Sequence, residues 1–222
     1  MIQFLKNIVL TVETAFWDRW LRINTLGIRP GEVPTGSVNG DSLYNQSKCY
    51  ATIRACLRHE KLTAQDVFYD VGCGAGRDLC IVAQSRIRKC VGLELSETLC
   101  RLAGNNALRL RGRRTPIQII QGDACLADFS AGTVFFFYNP FGSKSLESVL
   151  CRIRENVIRE PRPIRCIYLN PVCHRVFEDQ KWLQETAKRT VGRGGLAARY
   201  YSSVATPLVR RQQVNKMPQR IQ

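Results

Sequence analysis

Four side chains set the chemistry open to this sequence. Asp70 ends a β-prone run, Val67-Phe68-Tyr69, and leads into three glycines at alternate positions, Gly72, Gly74 and Gly76, in the segment V-F-Y-D-V-G-C-G-A-G-R. Glu94 closes Val91-Gly92-Leu93-Glu94, Asp123 follows Gln121-Gly122, and Asn139 opens Asn139-Pro140-Phe141-Gly142 after a run of aromatics. Glycines without a Cβ let a ligand come close to the main chain. Their spacing is G-x-G-x-G rather than the G-x-G-x-x-G of dinucleotide sites, and no G-K-[ST] for a triphosphate is present. An adenosine without a pyrophosphate fits such a loop better. A carboxylate at Glu94 can accept both hydroxyls of a ribose, and it follows the loop at the distance expected for that role. At the fourth position the Asn139 side-chain oxygen and the Pro140 carbonyl can each accept from an acceptor N–H, with Phe141 as an aromatic wall. An amine held in this way is oriented for in-line attack, where positioning supplies much of the acceleration.

These residues need a scaffold that brings strand ends together. Strands are predicted at 67–71, 90–94, 116–121, 133–138 and 164–169, and helices at 77–86, 97–110, 144–157 and 173–180. Strand–helix alternation implies a parallel sheet covered on both faces. Two extended runs, 182–191 and 196–204, flank a glycine-rich turn and read as an antiparallel hairpin closing the sheet edge. The fold expected is α/β: a Rossmann-like, seven-stranded, mostly parallel sheet with a C-terminal antiparallel hairpin and helices on both faces. Ligands of such sheets bind beyond the carboxyl ends of the strands, where the four residues lie. Three regions are expected: an N-terminal helix and loop over 1–40, the α/β domain over 41–209, and a basic, disordered tail over 210–222. Leu5, Ile8, Val9, Val12, Phe16, Trp20 and Ile23 recur at three- and four-residue spacing and predict an amphipathic helix from about 2 to 23. Its apolar stripe is expected to pack on the domain or on a second subunit, giving a homo-oligomer through the N-terminal helix. Glu13 and Asp18 weigh against a membrane-surface helix. A second helix is read over 42–59.

The 222 residues suffice for one α/β domain with a full core. A net charge of +15 attracts polyanions or acidic substrates. It is concentrated in arginine clusters such as Arg109-Leu-Arg111-Gly-Arg113-Arg114, but no known nucleic-acid module carries it. Ten cysteines are scattered through predicted core elements, with no C-x-x-C pair and only two histidines. No metal site and no structural disulfide are therefore expected, and a reducing cytoplasm is the expected compartment. Charges interrupt every apolar run, so no transmembrane segment is read. Glu13, directly after the first apolar stretch, argues against a signal peptide.

Taken together, the four segments resemble the class I S-adenosylmethionine-dependent methyltransferases, over roughly Ser42 to Val204. The resemblance implies S-adenosylmethionine as the cofactor. It places Asp70 and the amides of Gly72, Gly74 and Gly76 near the methionine part, with Asp70 suited to its ammonium group. Glu94 and Leu95 fall at the ribose, Asp123 and the Ala124 amide at the adenine, and Asn139, Pro140 and Phe141 at the reacting end. N-P-F resembles the (D/N)-P-P-(Y/F) signature of amino-group methyltransferases and lacks its second proline. Y-N-P-F-G also resembles the N-N-F-x-F-G of non-SET histone-lysine methyltransferases, whose Y-x-x-T is echoed by Tyr44-Asn45-Gln46-Ser47. That echo brings Tyr44 and Ser47 to the cofactor. The expected function is methylation of a nitrogen on a protein side chain or small amine. RNA or DNA methylation, a non-catalytic cofactor-binding module and, more distantly, a NAD-dependent oxidoreductase are the rivals. His174, in N-P-V-C-H after the fifth strand, is a candidate general base. Trp17 and Trp20 are candidates to cap the acceptor pocket.

Overall fold

The structure, a computed structural model, describes residues 2–25, 40–41, 49–192 and 195–204, with 2–10 as backbone. Tyr44, Ser47, most of the 29–40 loop and the 210–222 tail lie outside the described residues. The elements are α1 (Ile2–Leu21), α2 (Tyr50–Arg58), β1 (Val67–Val71), α3 (Arg77–Val82), β2 (Lys89–Glu94), α4 (Glu97–Arg109), β3 (Ile117–Gln121), β4 (Val134–Phe137), α5 (Ser143–Arg159), β5 (Arg165–Leu169), α6 (His174–Glu178), β6 (Leu183–Val191) and β7 (Leu196–Ser203). One sheet of seven strands has the order β3-β2-β1-β4-β5-β7-β6. The first five strands run parallel, and β7 pairs antiparallel with both β5 and β6.

The central strands are continuous apolar runs because both faces are covered: every residue of β1 and β4 is buried. Alternate side chains feed two cores. Phe68, Phe136 and Ile167 join Tyr50, Ile53, Leu79 and Ala103 on the α2–α3–α4 side. Tyr69, Phe135, Phe137 and Tyr168 join Leu146, Val149, Ile153 and Phe177 on the α5–α6 side. The strand order reverses direction between β1 and β4, so their carboxyl ends open a crevice at that point.

Helix ends depart from the sequence reading for identifiable reasons. Helix α3 stops at Val82 rather than 86 because its carbonyls are taken by the turn entering β3: Arg114 and Thr115 donate their N–H groups to the Ala83 oxygen, and the Thr115 hydroxyl donates to Ser85. Helix α1 ends in a left-handed residue, Arg22 at φ 61°. The Ile23 N–H returns to the Asp18 carbonyl at 2.9 Å and the Arg22 N–H to Arg19 at 3.2 Å, a Schellman closure.

Three residues of the α1 stripe depart from packing on the domain, the first of its two expected places, while Ile23 of the same stripe is buried. Val12, Phe16 and Trp20 are 63, 60 and 52% exposed and do not pack on the domain. The inward face is largely polar: Thr14 and Asp18 are buried beside Leu21. Asp18 accepts from the Thr25 N–H at 2.6 Å, from the Thr25 hydroxyl at 2.8 Å and from the Tyr50 hydroxyl at 2.5 Å. Arg77 donates from Nε to the Thr25 hydroxyl at 2.8 Å, and its guanidinium lies 5.0 Å from the Tyr50 ring centre. Buried hydrogen bonds to a carboxylate therefore fix α1, rather than the apolar periodicity.

Candidate active site

The first four strands of the parallel set each deliver one polar residue to the carboxyl edge: Asp70, Glu94, Asp123 and Asn139. At the end of β1, Gly72 turns with φ 79°, and a Cβ there would stand 2.5 Å from Pro140 Cβ. The glycine loop and the Asn139-Pro140-Phe141 segment thus meet across the β1–β4 crevice with no room for a side chain between them. The N–H groups of Gly72 and Cys73 both donate to the Leu93 carbonyl at 2.9 Å, which ties the loop to β2. The Gly74 N–H donates to one Glu94 carboxylate oxygen at 2.9 Å, and the Ser96 N–H donates to the other at 2.8 Å. Glu94 is thereby fixed at the end of β2 with lone pairs left on both oxygens. Further along, Asp123 accepts from the Cys125 N–H at 2.8 Å and starts the 3-10 turn Ala124–Leu126.

Three acids gather here, and burial dominates their protonation. Asp70 is held well above the ordinary carboxylate range by burial, with Asp78 and Glu94 adding repulsion. Burial likewise raises Asp78, from 3.8 to about 6, against the opposing pull of Arg77. Glu94 is raised by burial despite the amides that hold it. Asp70 Oδ2 is buried without a hydrogen-bond partner among the described residues. A stability effect follows. An acid whose folded-state pKa is raised binds more protons folded than unfolded between the two values, so its contribution to stability falls as pH rises. Relative to Asp78→Asn, the wild-type melting temperature should fall as pH rises from 3.8 to about 6. Parallel pH profiles of the two proteins would refute the raised Asp78.

At the reacting end, Asn139 sits in the left-handed region at φ 48°. Its side-chain oxygen accepts from the Tyr168 hydroxyl at 3.3 Å, and that hydroxyl accepts from the Cys173 N–H at 3.2 Å. An amide donor pointing at the Tyr168 oxygen leaves the phenol proton for Asn139, so the chain of bonds sets which way the Asn139 amide faces. Phe141 is buried in the α5-side core, which anchors the segment from below. Asp41 grips the next turn: its carbonyl accepts from the Gly142 N–H at 2.9 Å and its carboxylate from the Ser145 N–H at 3.2 Å and the Ser145 hydroxyl. A carboxylate at the amino end of the 17-residue helix α5 is favourably placed against its dipole.

The structure therefore gathers Asp70, Gly72, Gly74, Glu94, Asn139 and Pro140 around the strand-end crevice. Gly76, at φ 77°, closes the loop onto α3. Leu95 follows Glu94 in the turn before α4, and Asp123 and Ala124 lie at the end of β3. Two candidates are placed elsewhere. Trp17 packs on α2, with the Arg54 guanidinium 3.8 Å from its ring, and Trp20 faces outward beneath Arg111. His174 begins α6, with Nδ1 3.2 Å from the Pro171 carbonyl and Nε2 4.0 Å from Glu178. Sequence reasoning missed Tyr168, Asp41 and Asn106. The Asn106 amide donates to Ala75 and to Asn24 at 2.9 Å each, clamping the glycine loop to the segment after α1. A polar residue among the inward positions of α4 was the signal for it. All ten cysteines are free thiols and six are buried. No group of three metal-ligating side chains occurs among the described residues.

The family model for the histone methylation protein DOT1 matches residues 39–116, the stretch from before α2 to the entry of β3. No curated protein matches the chain in sequence. Among solved structures, the chain is similar to an RNA methyltransferase from Salinibacter ruber in complex with S-adenosyl-L-homocysteine, at 21% identity and TM-score 0.52, over 71% of this chain and 94% of that one. It is also similar to a SAM-dependent methyltransferase from Aquifex aeolicus, at 14% identity and TM-score 0.53, over 68% and 89% of the two chains. A third likeness is to the glycopeptide N-methyltransferase MtfA, at 10% identity and TM-score 0.53, over 70% and 95%. The strand order, the glycine turn after β1 and these likenesses identify the fold of this chain as that of the class I S-adenosylmethionine-dependent methyltransferases.

Proposed function

We propose that this chain is an enzyme that transfers a methyl group from S-adenosylmethionine to a nitrogen on a protein side chain. The cofactor fits the residues present. Three buried or half-buried acids with raised pKa values, and an Asp70 oxygen without a partner, suit a ligand that carries an ammonium and a sulfonium. Gly72, at φ 79°, lets the loop backbone lie directly against Pro140, so the glycine loop and the reacting segment border one crevice. Glu94 is held by two amides with lone pairs to spare for ribose hydroxyls.

When bound, the cofactor supplies an electrophilic methyl group: the acceptor's lone pair forms the N–C bond as the C–S bond breaks, the sulfur becomes neutral, and the nitrogen's proton is released. The chain's own work is to position. Asn139 and the Pro140 carbonyl accept from the N–H groups of the acceptor, which turns its lone pair toward the methyl group. Tyr168 and Phe141 hold those two residues in place. The observation that carries the reading is this hydrogen-bonded Asn139 turn pressed directly on the glycine loop. The match of the cofactor half to a histone-methylation family supports a protein acceptor over a small amine.

Titration with S-adenosylhomocysteine should raise the melting temperature of the protein by mass action. Glu94→Ala should weaken binding by about 1.5–3 kcal/mol, roughly 10- to 100-fold in Kd. Preference for NADH, or unchanged affinity in the variant, would overturn the cofactor assignment. The acceptor is tested by incubating the enzyme with methyl-labelled S-adenosylmethionine and separated protein, RNA and small-molecule fractions; label should enter protein. Label in RNA would replace this reading with the second one, which the net charge of +15 favours. Activity would then fall steeply with salt.

A further inference from the structure

We propose that the outward face of α1 docks the protein on an anionic membrane surface. Val12, Phe16 and Trp20 stand at four-residue spacing on one side of this helix and are more than half exposed. In the sequence, Phe4 and Ile8 continue the same spacing. Neither of the two carboxylates that count against such a role in the sequence stands in this exposed row. Asp18 is buried in its network with Thr25 and Tyr50. Glu13 accepts the Ala51 N–H at the start of α2, at 2.9 Å. From Thr11 to Trp20, the exposed residues are Thr11, Val12, Ala15, Phe16, Arg19 and Trp20, with no acid among them.

Charge decides the occupant. The apolar row runs directly into a basic turn: the Arg111 N–H donates to the Leu21 carbonyl at 2.8 Å, and the Arg111 guanidinium lies 4.5 Å from the Trp20 ring centre. Arg109, the last residue of α4, and Arg113 and Arg114 in the turn that follows it are exposed as well. A helix that lies in the headgroup plane needs this combination: aromatic and aliphatic side chains that enter the acyl boundary and arginines that meet lipid phosphates. A second copy of the chain would instead bring another molecule of charge +15 to the same face. No helix among the described residues is long and apolar enough to cross a membrane, so the contact is with the surface.

The test is co-sedimentation of the full chain with vesicles, together with its sedimentation behaviour in their absence. Phosphatidylserine-containing vesicles should bind the protein, and pure phosphatidylcholine vesicles should bind it far less. Phe16→Ser and Trp20→Ser should each weaken binding at least about tenfold, from the loss of one large apolar side chain. The double variant Arg111→Glu/Arg113→Glu should also abolish the preference for anionic lipid. These positions are exposed, so unchanged circular dichroism and melting temperature confirm that the variants fold. Three results would overturn the proposal: no binding to anionic vesicles, binding that survives both Phe16→Ser and Trp20→Ser, or a dimer in solution that Phe16→Ser dissolves. The last would assign the face to a second copy.

Discussion

Replacing Asn139 with alanine should lower methyl transfer about 100-fold, equivalent to about 2.7 kcal/mol of transition-state stabilisation, while changing cofactor affinity far less. The amide orients the acceptor, and orientation counts most when the lone pair and the methyl carbon are in line. Two effects must be separated, because Asn139 sits at φ 48°, where a residue with a Cβ costs about 1–2 kcal/mol unless its side chain bonds locally. Asn139→Gly removes the amide without that strain. Both variants should lose turnover alike. If glycine restores it, the asparagine is only a turn former. Tyr168→Phe keeps the ring in the core and deletes the proton donated to Asn139. It should lower kcat by about tenfold and leave the KM for cofactor unchanged, since a hydrogen bond of this type contributes about 1 kcal/mol. A purely structural Tyr168 would lower the melting temperature without that split. Label found on oxygen or carbon of the product would remove the nitrogen assignment and leave the fold untouched.

The scaffold of this site was legible in the sequence and its bracing was not. Strand ends carry punctuation: Asp70 before three glycines, Gly122 before Asp123, Asn139 before proline. Each marks where an apolar run stops and the backbone turns, so the residues beyond the carboxyl edge could be read in order. The side chains that hold them come from elsewhere in the chain. Asp41 reaches Ser145 across 104 positions, Arg77 reaches Thr25 across 52, and Tyr168 reaches Asn139 across 29. No local pattern encodes such pairs. Helix α1 shows the converse. Its apolar spacing is plain and allows packing on the domain or on a second subunit; the domain does not cover Val12, Phe16 and Trp20, because Asp18, Thr25, Tyr50 and Arg77 make a polar contact that fixes the other face inward. The same spacing, read correctly as a helix, said nothing about which side the domain would take. Trp17 and Trp20 part for that reason: Trp17 packs on α2 against the core, and Trp20 is left outside.

The strongest destabilisation among the polar residues should come from Asp18→Ala. Asp18 is 5% exposed and accepts from the Thr25 N–H, the Thr25 hydroxyl and the Tyr50 hydroxyl. Its loss strands buried donors on both neighbours, and breaking a buried charged network from one side typically costs about 3–5 kcal/mol. The lower figure fits here, because Thr25 still receives Arg77 and the gap lies beside the helix end. About 3 kcal/mol should lower the melting temperature by roughly 6–12 °C in a domain of this size. Asp18→Asn keeps two acceptor lone pairs in the same shape and should lose less. The damage should also reach the cofactor. Thr25 positions Arg77, the first residue of α3, directly after the last glycine of the loop. A slackened Thr25 frees that helix start, so Asp18→Ala should bind S-adenosylhomocysteine more weakly than wild type even at temperatures where it is fully folded. Urea unfolding gives the stability change and calorimetry the affinity. A wild-type urea midpoint would show that apolar contacts alone hold α1. A large stability loss with unchanged affinity would show that the network anchors the helix without reaching the glycine loop.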